Sequence, residues 1–325
     1  MRAWRYFVAL FSRREPGTTL AVFRIAAGLV ILYSLLSIAA ADLVEALWVN
    51  VEHGGMRNIG GSPLARWLGG PTPGVIWMIW TAALVATLAF IAGLGGRITS
   101  FVLLQTYLGL VSINGDASGG YDLMITNALW LLTLGQATAT LSVDCRLRTG
   151  RWTCDREVAA WPRCLLIFQL MVIYTATGLQ KSSVWWTPAG EYSALYWVFQ
   201  DPTWTRFSGE LFAWIYPITQ VGTAVTWHWE QLSILMLLYF YFRDTVARPG
   251  RIRRWFTRWD LRKPWVVTGL LVHIGILLTL NVGPFSWISM AYYLVLWRGE
   301  ELEAAARRVA GALGRLRRRR ASASE

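Results

Sequence analysis

The residue with the clearest chemical potential is Lys181, which closes an apolar run long enough to cross a bilayer. The chain has only two lysines, Lys181 and Lys263, against twenty-nine arginines. Arginine supplies nearly all the other basic side chains, so a lysine in this place invites a chemical explanation. Removal from water disfavours an ammonium, and the neutral amine that results can act as a general base. Lys181 is therefore the first candidate for catalysis.

The residues before Lys181 share its helical face. Tyr174, Thr177, Gly178 and Lys181 are spaced i, i+3, i+4, i+7, which predicts one stripe with the amine at its end. Tyr174 is accordingly a candidate substrate-binding residue. The spacing also fits a simpler alternative, in which the lysine only extends to the lipid headgroups, as lysines that flank membrane helices commonly do.

An aromatic rim follows the lysine, and its members are candidate substrate-binding residues: Trp185, Trp186 and Tyr192. Asp116, in the turn-rich sequence NGDASGG, is a further candidate of this kind. In the simpler alternative the rim marks the membrane interface, where tryptophan and tyrosine are enriched. The sequence leaves both interpretations open.

Ionisable residues inside apolar segments are the remaining catalytic candidates: Asp122, His228, Glu230 and His273. A carboxylate in the middle of a membrane needs a cation, a proton or water, which makes Glu230 the most demanding of them. Its candidate partners are Lys181, His228 and His273, and their convergence would form an acid/base cluster in a medium of low dielectric. The two histidines could equally serve in packing.

These residues need a membrane framework to position them. The chain is 55% hydrophobic and only 15% charged, and apolar runs of bilayer length recur along it. We predict an all-α, polytopic helical membrane protein with about eight transmembrane helices. Pro217 divides an apolar region that is too long for one crossing, so an extra interfacial or re-entrant helix is expected over 211–217. The predicted crossings are 19–41, 73–93, 98–113, 121–141, 161–181, 218–242, 264–282 and a last one ending near 297.

The charge pattern predicts the topology. The net charge is +12, but the arginines form blocks between the apolar runs, which argues against nucleic-acid binding and for cytoplasmic loops. We expect the cell inner (plasma) membrane, a basic cytoplasmic N-terminus (1–18), a single transmembrane domain (19–298) and a charged cytoplasmic tail (299–325). Membrane lipids are then the first partners, and Arg24 is expected to reach their headgroups. Lys181 and the aromatic rim would face outward.

The cysteines point to neither a metal nor a disulfide framework. There are three, at 145, 154 and 164, without a C-x-x-C motif or a nearby pair of histidines. No metal site is predicted.

Three motifs carry a family resemblance. The sequence QLMVIYTATGLQKSSVWWTPAGEYSALYWVFQDP contains Q-x-x-x-x-Y-x-x-x-G-x-x-K followed by a tryptophan, a glycine and an aromatic helix. The sequence VHIGILLTLNVGPFSWISMAYYL carries His273, and LSVD spans 141–144. These resemble the membrane domain shared by vitamin K-dependent gamma-glutamyl carboxylase and the bacterial HTTM (horizontally transferred transmembrane) proteins.

The resemblance implies functions for individual residues. In the carboxylase the matching lysine is implicated as the base that deprotonates vitamin K hydroquinone, so Lys181 inherits that role and a reduced quinone is a candidate cofactor. The segment at Tyr121 and Asp122 lacks the carboxylase's histidine, and the carboxylase's long lumenal extension has no counterpart, so gamma-carboxylation itself is not expected.

The K-x(3–4)-W and YxxFQDP portions also resemble the HTTM branch of sporulation-delaying toxin maturation proteins. That branch implies an exported peptide substrate and a partner subunit. The alternative is a non-catalytic membrane partner in the maturation of, or immunity to, a secreted peptide. A transporter is disfavoured because no inverted repeat is detectable.

Overall fold

The computed structural model describes residues 2–244 and 250–322, and their regular structure is almost entirely helical. In chain order the helices are α1 (Arg2–Phe11), α2 (Thr18–Ala40), α3 (Leu43–Trp48), α4 (Pro63–Trp67), α5 (Pro73–Ala92), α6 (Gly96–Val111), α7 (Gly120–Leu134), α8 (Val143–Thr149), α9 (Trp161–Gln180), α10 (Ala194–Gln200), α11 (Gly209–Trp214), α12 (Tyr216–Leu232), α13 (Leu235–Asp244), α14 (Arg251–Arg258), α15 (Arg262–Thr279), α16 (Phe285–Tyr292) and α17 (Gly299–Ser322). Two short strands, β1 (Arg14–Pro16) and β2 (Glu157–Ala159), complete the regular structure together with a few single 3₁₀ turns.

Three helices are long and apolar enough to cross a membrane. They are α2, α5 and α9, and a fourth crossing results if α14 and α15, which are bent by 49° at their junction, count as one broken span. The predicted first, second and fifth crossings agree with α2, α5 and α9 to within one residue at each end. The all-helical membrane character is thus confirmed, while the full set of eight crossings stays a prediction.

The chain forms two compact units. The first comprises Met1–Cys164 and Leu294–Glu325, and the second comprises Leu165–Tyr293. Within the first unit α2 packs against α5, α5 against α6, and α6 against α7. The strands β1 and β2 pair antiparallel, with Arg14 opposite Ala159, and three-residue strands of this kind leave no readable pattern in the sequence.

Two arginines of the first unit are buried and hydrogen-bonded within the fold. Arg24 donates to the carbonyl oxygens of Ala137, Ile91 and Leu141 at 2.7, 3.3 and 2.6 Å. The expectation that Arg24 reaches the headgroups is therefore wrong, because three inward-facing carbonyl groups replace the lipid as its partners. The second arginine, Arg163, donates from Nε and Nη2 to the two carboxylate oxygens of Glu15 at 2.7 and 2.8 Å.

The second unit contains the functional candidates Lys181, Glu230 and His273, and in it α12 packs against α10 and α15. The region predicted as a sixth crossing is divided into α12 and α13 at Ser233. The Ser233 hydroxyl donates to the Trp229 carbonyl at 2.8 Å and accepts from Trp265 Nε1 at 3.1 Å. Ahead of it, α11 is a separate short helix and Pro217 lies in the first turn of α12, where its missing N–H costs nothing.

Candidate functional site

An amine and a carboxylate meet where α9 ends. Helix α9 stops at Gln180, and Lys181, the next residue, places its Nζ 2.5 Å from Oε2 of Glu230 on α12. The Lys181 side chain is 23% exposed and that of Glu230 is 11% exposed. The pair is therefore shielded on the carboxylate side and open on the amine side. Among the described residues Glu230 is the one hydrogen-bond acceptor of this amine.

Gly178 explains why the two helices approach closely enough for this contact. A Cβ atom at position 178 would lie 2.8 Å from the backbone nitrogen of Gln231 and 2.9 Å from the Cβ of Glu230, which is closer than atoms can pack. The Gln231 side chain also donates to the Gly178 carbonyl at 3.4 Å. The glycine in the predicted stripe thus serves to seat α12 against α9 beside the lysine.

The two neighbouring tryptophans of the rim have different partners. Ser183 caps the 3₁₀ turn Val184–Trp186, and this turn brings the Trp186 ring centroid to 5.2 Å from Lys181 Nζ. A cation over an indole face is attracted by the quadrupole of the ring. Trp185 instead packs on Trp197, with 5.8 Å between ring centroids.

A buried hydrogen-bonded cluster lies about two helical turns before Lys181 along α9. The Tyr174 hydroxyl is 2.7 Å from Nε2 of His273 on α15 and 2.9 Å from the hydroxyl of Tyr293. Gly269 makes room for this cluster, since a Cβ there would collide with the Tyr293 hydroxyl and come within 2.6 Å of the Trp229 ring. His273 Nδ1 is buried and has no hydrogen-bond partner among the described residues.

Helix α12 connects the two clusters through consecutive residues. Trp229 packs at a tilt against Tyr174 and Trp265 with centroid distances of 4.5 and 4.9 Å, and its Nε1 donates to the Trp265 carbonyl at 3.0 Å. Glu230, the following residue, holds Lys181. Tyr293, Trp229 and Trp265 were not predicted as site residues, because their only signal in the sequence is their aromatic character inside apolar segments.

The remaining candidates have other partners. His228 is exposed, its Nδ1 lies 2.7 Å from the Ala224 carbonyl oxygen, and its ring packs near Tyr192 with 6.0 Å between centroids. It therefore makes no hydrogen bond with Lys181 or Glu230. In the first unit, Asp116 forms an ion pair with Arg57 on the surface.

Asp122 is buried in the first unit and fully supplied with donors. It accepts hydrogen bonds from the Tyr107 hydroxyl at 2.6 Å, the Ser118 hydroxyl at 3.2 Å and the Gly119 amide at 2.8 Å. The last of these caps the first turn of α7. The described geometry thus gives Asp122 a structural role, and its catalytic role stays a prediction.

The described residues contain no group of three or more histidine, cysteine, aspartate or glutamate side chains arranged to hold a metal ion. Cys145, Cys154 and Cys164 form no disulfide. The side chains assembled around Lys181 are suited to proton transfer and hydrogen bonding.

The fold and the site define a helical membrane protein whose second unit carries an amine–carboxylate pair at a helix end. The HTTM domain model matches residues 12–242, which is most of the chain, and the protein belongs to the HTTM domain family. It is thus a membrane protein of the carboxylase-related family. No curated protein and no solved structure shows significant similarity to it.

Proposed function

We propose that Lys181 and Glu230 form a proton-transfer site at the outer face of the cell membrane, in which Lys181 is the base. The contact between Lys181 Nζ and Glu230 Oε2 carries this proposal, because it supplies the amine with a proton acceptor of its own. The partial exposure of the amine, against the greater burial of the carboxylate, gives a substrate access to the basic atom.

The proton balance follows from the pair. In a medium of low dielectric the charged and neutral forms of an amine–carboxylate pair come closer in free energy, because desolvation penalises both charges. When the proton moves from Nζ to Oε2, Lys181 becomes a neutral amine and Glu230 a neutral carboxylic acid. Lys181 then takes a proton from the substrate and becomes an ammonium again. The indole of Trp186 stabilises that ammonium, and the substrate leaves as the anion. Glu230 then releases its proton to water, which restores the carboxylate and the ion pair with Lys181.

The substrate class follows from the membrane setting and the family. A lipid-soluble quinol reaches a site at a helix end from the bilayer, and its hydroxyl is acidic enough to give a proton to an amine. The residues present suit such a molecule, since the Trp186 ring offers a stacking surface beside the base. A reduced quinone, when bound, would supply the acidic hydroxyl. An exported peptide is the second candidate substrate, with a partner subunit presenting it.

Topology is part of the proposal. Eight crossings with both termini in the cytoplasm place the arginine-rich blocks inside and Lys181 outside, whereas Lys263 follows the basic segment before α15 and faces inward. Because these are the two lysines of the chain, a membrane-impermeant amine reagent applied to intact cells is expected to modify Lys181 and leave Lys263 unmodified. Modification of Lys263 with Lys181 intact would contradict the proposed orientation.

The catalytic role is tested by substituting both lysines in the native organism. Lys181→Ala and Lys181→Arg are expected to lose the function measured by complementation of a deletion strain, since arginine keeps the charge but does not release its proton at neutral pH. Lys263→Arg, at an exposed position, is the matched control and is expected to complement fully. Full function in both Lys181 variants would end the catalytic proposal.

The same variants test the alternative function, a non-catalytic partner in peptide maturation or immunity. It predicts that Lys181 is replaceable and that substitutions in 114–120 or in the aromatic rim abolish function. Lipid extraction of the protein purified in mild detergent tests the cofactor separately. A quinone is expected to copurify with the wild type and to be depleted in Trp186→Ala. Equal quinone recovery from both would show that Trp186 does not contribute to its binding.

A further inference from the structure

A second candidate site in the same unit is an open cleft of about 560 Å³ beside the loop 183–193. Its walls carry four aromatic rings, and the one charged side chain among its lining residues belongs to Glu191. The aromatic residues are Trp185, Tyr196, Trp197 and Tyr216. Lys181 is not among the lining residues, so the cleft is separate from the ion pair.

The rings form a connected wall. Tyr196 packs edge-on against Trp197 and Tyr216, with centroid distances of 5.3 and 5.1 Å, and Trp197 packs on Trp185 at 5.8 Å. Trp185 and Trp197 are still 47% and 52% exposed, so large parts of their faces remain available. Aromatic faces arranged around a cavity bind cations through their quadrupoles.

The carboxylate is held at the cleft by an unusual backbone. Glu191 and Tyr192 have φ angles of 55° and 53°, a left-handed conformation that side chains other than those of glycine and asparagine seldom adopt. The Gln220 side chain donates to the Glu191 carbonyl at 2.8 Å, and the Tyr192 amide donates to the Thr187 carbonyl at 3.1 Å. The surrounding loop thus maintains two adjacent residues in a costly conformation that keeps Glu191 at the rings.

Glu191 has no cationic partner among the described residues. The contact of its carboxylate is with the Tyr216 hydroxyl, at 3.5 Å. A carboxylate and four aromatic faces in one cleft, without a lysine, arginine or histidine in its lining, attract a group of positive charge.

We propose that this cleft binds the cationic side chain of a peptide, an arginine guanidinium or a lysine ammonium. The Glu191 carboxylate and the Tyr216 hydroxyl offer acceptors for N–H groups, and a guanidinium can stack on an indole while it bonds to a carboxylate. A zwitterionic lipid headgroup fits less well, because its phosphate would meet no cation in the lining. That this peptide is also the molecule on which Lys181 acts rests on the proposed function, but binding of the cation does not.

The test uses the full-length protein in a non-ionic maltoside detergent and two short probes that differ in one charge. Acetyl-Gly-Arg-Gly-amide is expected to bind at least about tenfold more tightly than the same peptide with citrulline, a neutral isostere of arginine, in isothermal titration calorimetry. Glu191→Gln and Trp197→Ala are each expected to weaken arginine-peptide binding by about tenfold. Glu210→Gln, the same change at an exposed residue outside the cleft, is the matched control and is expected to leave binding unchanged.

Three results would overturn the inference. They are equal affinity for the two peptides, undiminished affinity in correctly folded Glu191→Gln protein, and tighter binding of phosphocholine than of the arginine peptide. Lys181→Arg separates this inference from the proposed function, since it should bind the arginine peptide like the wild type. If Lys181→Arg binds the peptide but does not complement, both the catalytic role of Lys181 and the cation-binding cleft are supported. If it binds the peptide and complements, the catalytic role is ruled out and the cation-binding cleft is still supported.

Discussion

Two of the ion pairs among the described residues, Glu15–Arg163 in the first unit and Lys181–Glu230 in the second, differ in exposure and in the number of their hydrogen bonds. Both side chains of the first pair are only 4% exposed, and the guanidinium grips both carboxylate oxygens. In the second pair one amine contacts one oxygen, and the cation is 23% exposed. An arginine that donates two hydrogen bonds to a carboxylate and never loses its proton can only stabilise the fold. A partly exposed lysine can exchange a proton.

The difference lies in how each cation is held, because one is fixed by several acceptors and the other is partly exposed. Arg163 also donates to the Val295 carbonyl at 3.2 Å, so its charge is spread over several fixed acceptors. Lys181 has a carboxylate on one side and an indole on the other, and the indole accepts no proton. Matched substitutions in the two pairs test this contrast.

The largest effect is expected when the closed pair is broken. Glu15→Gln leaves the Arg163 guanidinium buried beside a neutral amide, and loss of a partner in a buried pair costs about 3–5 kcal/mol of unfolding free energy. The measurement is a denaturant titration of the purified protein in micelles, followed by circular dichroism. Glu157→Gln, at an exposed position nearby in the strand pair, should change stability by less than about 0.5 kcal/mol. Similar losses of unfolding free energy in both variants would show that the buried ion pair contributes no more to stability than a surface charge.

A smaller effect is expected from filling the space between α9 and α12. Gly178→Ala adds a Cβ where the Gln231 nitrogen and Glu230 Cβ leave no room, and such overpacking costs about 1–3 kcal/mol. The displaced α12 should also separate Glu230 from Lys181 and reduce complementation. Gly275→Ala on α15 is the control, because nothing lies within 4 Å of its added Cβ and alanine favours the helix. If Gly178→Ala were as stable and active as Gly275→Ala, the close approach of the helices would not matter to the open pair.

The smallest effect is expected when the open pair is broken in the same way as the closed one. Glu230→Gln should cost only about 1 kcal/mol of unfolding free energy, since the freed Lys181 amine can turn to water. It should nevertheless reduce complementation, because the amine loses its proton acceptor. A stability loss equal to that of Glu15→Gln would indicate that the second pair is as structural as the first.

Much of the framework could be predicted from the sequence. The predicted crossings that correspond to α2, α5 and α9 follow from uninterrupted apolar runs with clear ends, which are the strongest signal that hydropathy gives. The break at Ser233 left no such mark, because it depends on hydrogen bonds with Trp229 and Trp265, and Trp265 lies on another helix.

The sequence predicts which residues form the site better than it predicts which of them are in contact. Rarity and spacing singled out Lys181, and a mid-membrane position singled out Glu230, but three partners for that carboxylate stayed open. Arg24 shows the limit of the same reasoning. Its place near a helix end predicts a lipid contact, but its three carbonyl partners come from separate segments that only the folded chain brings together.

The left-handed backbone at Glu191 and Tyr192 lowers the stability of the fold and keeps Glu191 at the cleft. Glycine at either position would relieve a backbone penalty and is what selection for heat resistance alone should favour. A protein that keeps glutamate and tyrosine at these positions therefore lacks that gain in stability. The residue found at position 191 in natural and laboratory-evolved variants therefore indicates whether the cleft is in use, because Glu191 lines it.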